Sequence, residues 1–309
     1  NTLIKNLKCI GILILSDVIR QDAKTTLDYF KRQDVDIKII SGDDPVTVSA
    51  IARRCHLLNY EHYIDVSSLS DEQIKEAIEK YTIFGRVSPK QKQLMVNALQ
   101  ENNHTVAMTG DGVNDVLALK AADCSIAMAS GSDAAKSASH IVLLKNNFNA
   151  MPHIVNEGRR VINNITASAS MYLIKTIFSV VLSIGMILFG HGYPFKPIQL
   201  TVISACCVGI PTFFLTYEPN FKRVSGDFLK TVFKNAFPFA FMIAICSTII
   251  VNGGRVLGLE KEMLSTICVL LTSWCYYSGL RHIYSPLSHY RSFVIHIMQI
   301  VLYISLIVG

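Results

Sequence analysis

The run MTGDGVND, residues 108–115, is the densest group of side chains in this sequence with the potential for chemistry. Its two carboxylates, Asp111 and Asp115, stand four positions apart, and Gly110 and Gly112 let the backbone approach a ligand closely. Oxygen ligands of this kind suit a hard cation, and Mg²⁺ typically binds one or two carboxylates together with phosphate oxygens. The run therefore predicts a magnesium site that handles phosphate.

A second candidate phosphate site is the tripeptide Ser41, Gly42 and Asp43, which follows one predicted strand and precedes a predicted helix. A hydroxyl beside a helix N-terminus suits an oxyanion or a phosphate, although the same tripeptide is also a common turn. Lys92 lies one turn after Pro89, and a lysine directed at the strand ends could neutralise a phosphoryl group. The alternative for Lys92 is a solvated position on the helix.

These residues need a sheet to position them, and the pattern along residues 1–150 predicts one. Apolar runs bounded by turn residues predict strands at 9–15, 37–40, 83–86, 105–109, 124–128 and 141–143. The intervening patterns predict helices at 24–32, 46–56, 71–80, 90–100, 116–121 and 132–137. Such alternation indicates an α/β, Rossmann-like domain with a parallel sheet. Ligands of these domains bind beyond the carboxyl ends of the strands.

The charge distribution changes near residue 160. Half of the 309 residues are apolar and 17% are charged, which excludes disordered and collagen-like chains. Residues 1–160 carry 19 basic and 19 acidic side chains, whereas residues 161–309 carry 10 and 4. A basic, charge-poor and apolar half indicates a lipid bilayer as partner, not nucleic acid. Five segments predict an all-α transmembrane helical bundle, at roughly 167–189, 198–217, 235–252, 263–280 and 293–308.

The loops between these segments predict the orientation. Basic side chains gather before the first segment and around the loops that follow the second and the fourth. The positive-inside rule therefore places residues 1–165 in the cytosol of a multi-pass protein of the cell membrane. The scattered cysteines have no metal-binding spacing and fit a reducing compartment. We predict an α/β domain over 1–150, a stalk helix over 151–166 and a transmembrane domain over 167–309.

Four residues are candidates for a transport path. Lys175 lies about eight residues into the first segment, where an ionisable group costs roughly 3 kcal/mol. It should face the bundle interior or snorkel to the interface. Pro211 interrupts the second segment and frees the carbonyl four residues earlier, at Cys207. A broken helix can coordinate a cation or be a simple kink, and Glu218, at the segment end, is favoured as an interfacial cap.

Three segments together resemble P-type ATPases of the haloacid-dehalogenase-like superfamily: SGD (41–43), GRVSPKQK (85–92) and TGDGVNDVLALKAADCSIAM (109–128). The segment SDVIR (16–20) is similar to that family's Asp-x-x-Arg element. The resemblance implies the latter part of a phosphorylation domain, followed by the fifth transmembrane helix onward. It further implies an ATP-hydrolysing cation pump that uses Mg²⁺ and forms an aspartyl phosphate.

The resemblance also implies roles for individual residues. Asp111 matches the Mg²⁺ ligand, and Asp115 matches a second acidic residue that is often assigned to Mg²⁺ as well. Lys92 matches the lysine that contacts the transferred phosphoryl group. We expect Lys92, Asp111 and Ser41 to be catalytic. The positions that match nucleotide or phosphate binding are Ser41, Gly42, Asp43, Arg86, Lys92 and Asn114.

One departure concerns the nucleophile. In P-type ATPases the nucleophile is an aspartate in an Asp-Lys-Thr-Gly-Thr segment, which this sequence does not contain. Asp17 follows an apolar run but is followed by Val18 and Ile19, so it lacks the required pattern. We therefore expect a C-terminal fragment, inactive alone. Its partner is the N-terminal portion of a pump, with an actuator, a nucleotide-binding domain and four further spans.

The transported ion and the class of protein leave alternatives open. We favour Ca²⁺, because GIPTFFLTYEPN (209–220) is similar to a bacterial group of calcium or cation pumps. Other candidates are Mg²⁺, Mn²⁺ and a K⁺/H⁺ pump, in which Lys175 would act as a countercharge. A membrane-tethered phosphatase of the same superfamily and a non-catalytic membrane scaffold are the alternatives from other classes.

Overall fold

A computed structural model describes Ile19 and residues 21–145, 147–224 and 226–308. The chain forms two compact units, Asn1–Ile154 and Val155–Gly309. The strand predicted at 9–15 lies outside the described residues, as do Asp17 and the rest of the SDVIR segment except Ile19.

The first unit alternates short strands and helices. Its described elements are α1 (Gln21–Arg32), β1 (Ile39–Ile40), α2 (Pro45–Arg54), β2 (Tyr63–Asp65), α3 (Asp71–Lys80), β3 (Ile83–Gly85), α4 (Pro89–Glu101), β4 (Ala107–Gly110), α5 (Val116–Ala121), β5 (Cys124–Met128), α6 (Asp133–Ala138) and β6 (Ile141–Leu143). A 3-10 turn, Val113–Asp115, joins β4 to α5. The elements predicted within these residues are confirmed, although their ends shift by a few residues. Strand β2 is an addition.

The described strands form two three-stranded parallel sheets, in the orders β1-β3-β2 and β4-β5-β6. Ile40 pairs with Phe84 in the first sheet, and Gly110 pairs with Ala127 in the second. Because all pairs are parallel, the residues that follow β1, β2 and β3 gather at one edge of their sheet. The residues that follow β4 and β5 do the same in the second sheet, so the predicted phosphate-binding residues lie at carboxyl edges.

Helix α4 is fixed by apolar contacts on two sides. Met95 is fully buried with Phe84 of β3 and Ile74 of α3. The next residue, Val96, packs with Ala118, which is on α5. Burying one large apolar side chain contributes roughly 1.5–3 kcal/mol. These contacts hold α4, and with it Lys92, in a defined position.

The second unit is helical. Its elements are most of α7 (Ala150–Leu188), whose first five residues belong to the first unit, and α8 (Pro197–Ile203), α9 (Ile210–Leu215), α10 (Phe228–Val256), α11 (Lys261–Ile283) and α12 (His289–Val308). Five stretches among the described residues are long and apolar enough to cross a membrane, which matches the predicted number. Helix α7, with 39 residues, contains both the predicted stalk and the first predicted span.

Helix α11 lies at the centre of the second unit. In its most apolar stretch 61% of the residues are buried, against 28–39% for the other four spans. It packs closely against α10, where Gly254 faces Leu264: a Cβ at Gly254 would lie 2.1 Å from a Leu264 methyl carbon. Small residues at helix interfaces are typical of membrane bundles, because they let the backbones approach.

The second span is interrupted, as predicted, but in a different register. A π turn, Ser204–Gly209, separates α8 from α9, and the Ile210 N–H donates to the carbonyl of Ala205, five residues earlier. The prediction of Cys207 as the carbonyl freed by Pro211 rests on α-helical spacing, which the Ile210 N–H does not follow. With π spacing, Pro211 stands opposite Cys206.

Candidate functional site

Lys92 and Asp115 form a largely buried ion pair. Lys92 Nζ lies 2.7 Å from Asp115 Oδ1, and each side chain is only 11% exposed. Charges that water reaches poorly attract each other more strongly than exposed ones, and removing one partner would leave an uncompensated buried charge. The lysine on α4 is therefore directed at the loop that follows β4, at the carboxyl edge of the second sheet.

The second carboxylate oxygen of Asp115 organises this loop. Asp115 Oδ2 accepts hydrogen bonds from the backbone N–H groups of Asp111, at 3.2 Å, and Gly112, at 3.1 Å. A Cβ at Gly110 would lie 2.6 Å from Asp115 Cβ, so the close approach requires glycine. Asp115 thus binds the loop backbone and Lys92 at the same time.

The backbone of Asp111 is fixed, while its side chain is exposed. The Ser132 N–H donates to the Asp111 carbonyl oxygen at 2.8 Å. Gly131 approaches so closely that an added Cβ would lie 2.8 Å from the same oxygen. The Asp111 carboxylate is therefore presented to solvent from a rigid loop, and Asn114, in the following 3-10 turn, is also exposed.

The loop suits Mg²⁺ by the chemistry of its donors. Within the described residues no group of three or more His, Cys, Asp or Glu side chains could hold a metal ion by itself. Mg²⁺ does not need such a cage, because it keeps several waters and takes one or two carboxylates plus substrate phosphates. Asp111 fits as the direct ligand, since both Asp115 oxygens already have partners.

A capping box fixes the start of α4 one turn before Lys92. Ser88 Oγ accepts the Gln91 N–H at 3.4 Å, and the Ser88 N–H donates to Gln91 Oε1 at 2.9 Å. Pro89 occupies the first helical position, where its missing N–H costs nothing. The sequence Ser-Pro-Lys-Gln therefore determines where the helix begins, and with it the position of Lys92 on the first turn.

The Ser41 turn is tied to the segment that follows β3. Ser41 Oγ accepts the Asp43 N–H at 3.2 Å and lies 3.2 Å from Asp43 Oδ2. The Ser41 carbonyl accepts the Val87 N–H at 2.9 Å, and the Asp43 carbonyl accepts the Arg86 N–H at 2.8 Å. Since Val87 directly precedes the cap of α4, the Ser41 turn and the first turn of α4 are linked.

Arg86 has an unusual backbone and two acidic neighbours. Its φ angle is +56°, a region that non-glycine residues rarely adopt. The guanidinium lies 2.9 Å from Asp44 Oδ2, and its Nε lies 3.5 Å from Asp65 Oδ2. The preceding Gly85 has no room for a side chain, because a Cβ would lie 2.5 Å from Pro45. A phosphate at this edge would compete with the two carboxylates for Arg86.

Asp65 is held in its charged form. Ser67 donates to Asp65 Oδ1 through its hydroxyl, at 2.6 Å, and through its backbone N–H, at 2.9 Å. These hydrogen bonds, and to a lesser degree the charge of Arg86, lower the pKa of the Asp65 carboxyl below its usual range. The edge of the first sheet therefore stays anionic beside Arg86 at neutral pH.

The predicted site residues fall into two groups. The first group lies on the loop after β4 or bonds to it, and consists of Lys92, Asp111, Asn114 and Asp115. The second group follows β1 and β3, and consists of Ser41, Gly42, Asp43 and Arg86.

Sequence reasoning missed Asp44, Asp65 and the Gly131–Ser132 support. The Asp44–Pro45 pair was an available signal: Asp44 caps α2, because its Oδ1 accepts the Val46 N–H at 3.0 Å.

The four transport-path candidates lie in different surroundings. Cys207 is fully buried in the π turn and Pro211 is buried in α9, whereas Lys175, on α7, is half-buried. Glu218 lies beyond the end of α9. Its Oε2 is 3.2 Å from Nε of the buried Arg291.

Further contacts fix this ion pair at the ends of two helices. Ser288 Oγ donates to Glu218 Oε2 at 2.5 Å, and Arg291 donates to the carbonyl of Tyr284 at 2.8 Å. Sequence reasoning did not predict this pairing.

Comparisons with known proteins give the family of the chain. The haloacid dehalogenase-like hydrolase family matches residues 2–123. The chain is 43% identical over 274 residues to the probable cation-transporting ATPase exp7 of Streptococcus pneumoniae, covering 86% of this chain and 35% of that protein. It is 40% identical over 281 residues to the calcium-transporting ATPase CtpE of Mycobacterium bovis, with coverage of 85% and 35%.

More distant relatives follow. A calcium-transporting ATPase of Bacillus subtilis is 32% identical over 231 residues, which cover 73% of this chain and 26% of that protein. A solved catalytic domain of the CPx-ATPase CopB-B is 28% identical, with coverage of 45% and 46%, and its TM-score of 0.36 is below the level that supports a common fold.

The chain spans about a third of the length of the first two of these relatives. Its first unit combines the haloacid-dehalogenase-like fold with an acidic loop at the carboxyl end of a parallel sheet, and its second unit supplies five apolar helices. The chain belongs to the P-type cation-transporting ATPases, within the haloacid-dehalogenase-like superfamily.

Proposed function

We propose that this chain forms the C-terminal part of an ATP-driven cation pump that works through an aspartyl-phosphate intermediate. The observation that carries the proposal is the Lys92–Asp115 pair, which holds the loop of the exposed Asp111, on the same chain as five apolar helices. The printed names of the relatives, which are cation- and calcium-transporting ATPases, support it.

The chain's own residues would act by position and charge. Lys92 supplies a fixed positive charge for the transferred phosphoryl group, and Asp115 holds Lys92 and the loop together. Asp111 is the ligand for Mg²⁺, which when bound neutralises phosphate charge. Such a site needs little covalent help from the protein, since phosphoryl transfer is catalysed mainly by positioning and electrostatics.

The remaining phosphate-site residues would bind the nucleotide or its phosphates. Ser41 offers a hydroxyl at the end of β1, and Arg86 offers a guanidinium at the end of β3. Asn114 offers an exposed amide on the loop of Asp111. Gly42 and Asp43 shape the turn that presents Ser41, because the Asp43 N–H and carboxylate bond to the Ser41 hydroxyl.

The phosphorylated aspartate would come from outside this sequence, which lacks the Asp-Lys-Thr-Gly-Thr segment. In the proposal the same missing portion supplies the nucleotide-binding and actuator domains and the first four spans. The complete transporter is therefore this chain together with that portion, in one polypeptide or as a companion subunit.

We propose Ca²⁺ as the transported cation, in line with the names of several relatives. The five predicted spans contain no Asp or Glu, so this chain would contribute neutral ligands around Cys207 and Pro211, and the carboxylates would come from the missing spans. Lys175 would serve as a countercharge inside the bundle. Glu218, paired with Arg291, would anchor the end of the second span.

Phosphorylation by radiolabelled ATP tests the proposal. The complete transporter should form an acid-stable, hydroxylamine-labile phosphoprotein only when Mg²⁺ and the transported cation are present. Asp111→Asn should abolish it, whereas Asp71→Asn, which removes an exposed carboxylate at the start of α3, should not.

Cleavage of phosphate esters without a phosphoprotein would instead indicate the tethered phosphatase, and neither reaction would indicate a scaffold. A panel of Ca²⁺, Mg²⁺, Mn²⁺ and K⁺ in the same assay identifies the cation.

A further inference from the structure

The π turn of the second span leaves the Cys206 carbonyl without a donor from its own helix. The Ile210 N–H, which would serve Cys206 in an α-helix, donates instead to Ala205. The next residue in π register is Pro211, which has no N–H. A buried carbonyl without a partner costs roughly 1–3 kcal/mol, so a donor from another helix is expected.

Tyr277 of α11 supplies that donor. Its hydroxyl donates to the Cys206 carbonyl at 3.3 Å, and Tyr277 and Cys206 are only 1% and 6% exposed. The central helix of the bundle therefore holds the broken segment through one phenol group.

We propose that Tyr277 is a positioning residue that sets the geometry of the π turn for binding the transported cation. The inference rests on the proposed function, since it names a residue that acts on the cation path of the same pump. The proposed function requires only that the second span is broken. The inference adds that a side chain on α11 determines the hydrogen-bond register of the break.

The chemistry of a carbonyl group explains how one hydrogen bond could serve this purpose. A carbonyl oxygen has two lone pairs, so Tyr277 can orient the Cys206 oxygen and still leave one lone pair for a cation. Without the phenol, the turn would regain pairing most simply by shifting register, which would rotate the neighbouring carbonyls. The expected consequence is weaker cation binding with unchanged handling of ATP.

The adjacent tyrosine provides a matched control. Tyr276 is fully buried on the same helix, next to the ring of Phe178, whose centroid lies 6.3 Å away. Among the described residues its hydroxyl has no hydrogen-bond partner. Tyr276→Phe and Tyr277→Phe therefore remove the same atom from neighbouring buried positions, but only the second removes a donor to the π turn.

The test measures cation-dependent phosphorylation of the complete transporter. Tyr277→Phe should raise the cation concentration for half-maximal phosphorylation by about three- to tenfold, the equivalent of one hydrogen bond. The ATP concentration for half-maximal phosphorylation should not change. Tyr276→Phe should behave as the unmodified protein, and an unchanged or lower cation requirement in Tyr277→Phe would overturn the inference.

Pro211→Ala keeps the inference testable if Tyr277→Phe accumulates poorly. The substitution restores an N–H opposite Cys206, so it should recover the folded yield of Tyr277→Phe at least in part. No recovery in the double variant would contradict the proposed register.

The failure of this inference differs from the failure of the proposed function. If the unmodified transporter forms no cation-dependent phosphoprotein, the proposed function fails. If it does, and the two tyrosine variants behave alike, only the role of Tyr277 fails.

Discussion

One carboxylate oxygen of Asp115 accepts a hydrogen bond from the Lys92 ammonium group, at 2.7 Å. The other oxygen accepts hydrogen bonds from the backbone N–H groups of Asp111 and Gly112. One side chain therefore positions both the positive charge and the loop that presents Asp111. This arrangement makes the loop sensitive to changes that touch Asp115, even where they leave Asp111 and Lys92 intact.

Two glycines of this loop allow a matched test of the packing. Gly110→Ala should displace Asp115, because the new Cβ would lie 2.6 Å from Asp115 Cβ, and overpacking of this kind costs about 1–3 kcal/mol. Gly112→Ala should cost less, since its nearest neighbour, Asp115 Oδ2, is 3.5 Å away. Urea unfolding of the purified chain in detergent should show a lower midpoint for Gly110→Ala, and equal midpoints would contradict the described packing.

Removing Lys92 should expose the cost of a lone buried charge. Lys92→Ala leaves the Asp115 carboxylate, 11% exposed, without its counter-ion, which destabilises by about 3–5 kcal/mol. In the same unfolding assay, Asp115→Asn should partly restore Lys92→Ala, since it removes the unpaired charge.

Lys92→Arg keeps the charge and should be milder than Lys92→Ala. If the effects of Lys92→Ala and Asp115→Asn simply add, the two groups are not coupled and the ion pair is not as described.

The pKa of Asp65 predicts an acid dependence that Ser67 controls. The folded pKa is lowered, so the stabilisation is present above the unfolded value, about 3.9, and is lost as the pH falls through the folded value. Ser67→Ala should lower the unfolding temperature at pH 7 and have little effect at strongly acidic pH. Ser68→Ala, on an exposed neighbour, is the control, and an effect of Ser67→Ala that does not vary with pH would refute this origin.

Much of the fold could be predicted from the sequence pattern, because long amphipathic and apolar segments repeat the hydrophobic period often enough to identify helices and membrane spans. Strand β2 (Tyr63–Asp65) could not be predicted in this way, since three residues are too few to display a period of two. The break in the second span was predictable from Pro211, but its register was not. The π spacing decides which carbonyl lacks a donor. The hydroxyl that bonds to that carbonyl belongs to Tyr277, which is far from Cys206 in the sequence.

The candidate site was predictable in its residue types but not in its pairings. The residues around Asp111 could be found because they are close in sequence and follow one strand. The different roles of Asp111 and Asp115 could not be predicted, because they depend on the hydrogen bond that Lys92 of α4 donates to Asp115. The Glu218–Arg291 ion pair was hidden for the same reason, since its partners are 73 positions apart in the sequence.

Cation transport coupled to ATP tests the central claim most directly. The complete transporter, in vesicles with the first unit on the ATP side, should move radiolabelled Ca²⁺ across the membrane only with ATP and Mg²⁺. Asp111→Asn should stop this movement, and Asp71→Asn, at the exposed start of α3, should not. ATP hydrolysis without movement of any cation in the panel, or equal movement in the Asp111→Asn variant, would contradict the account.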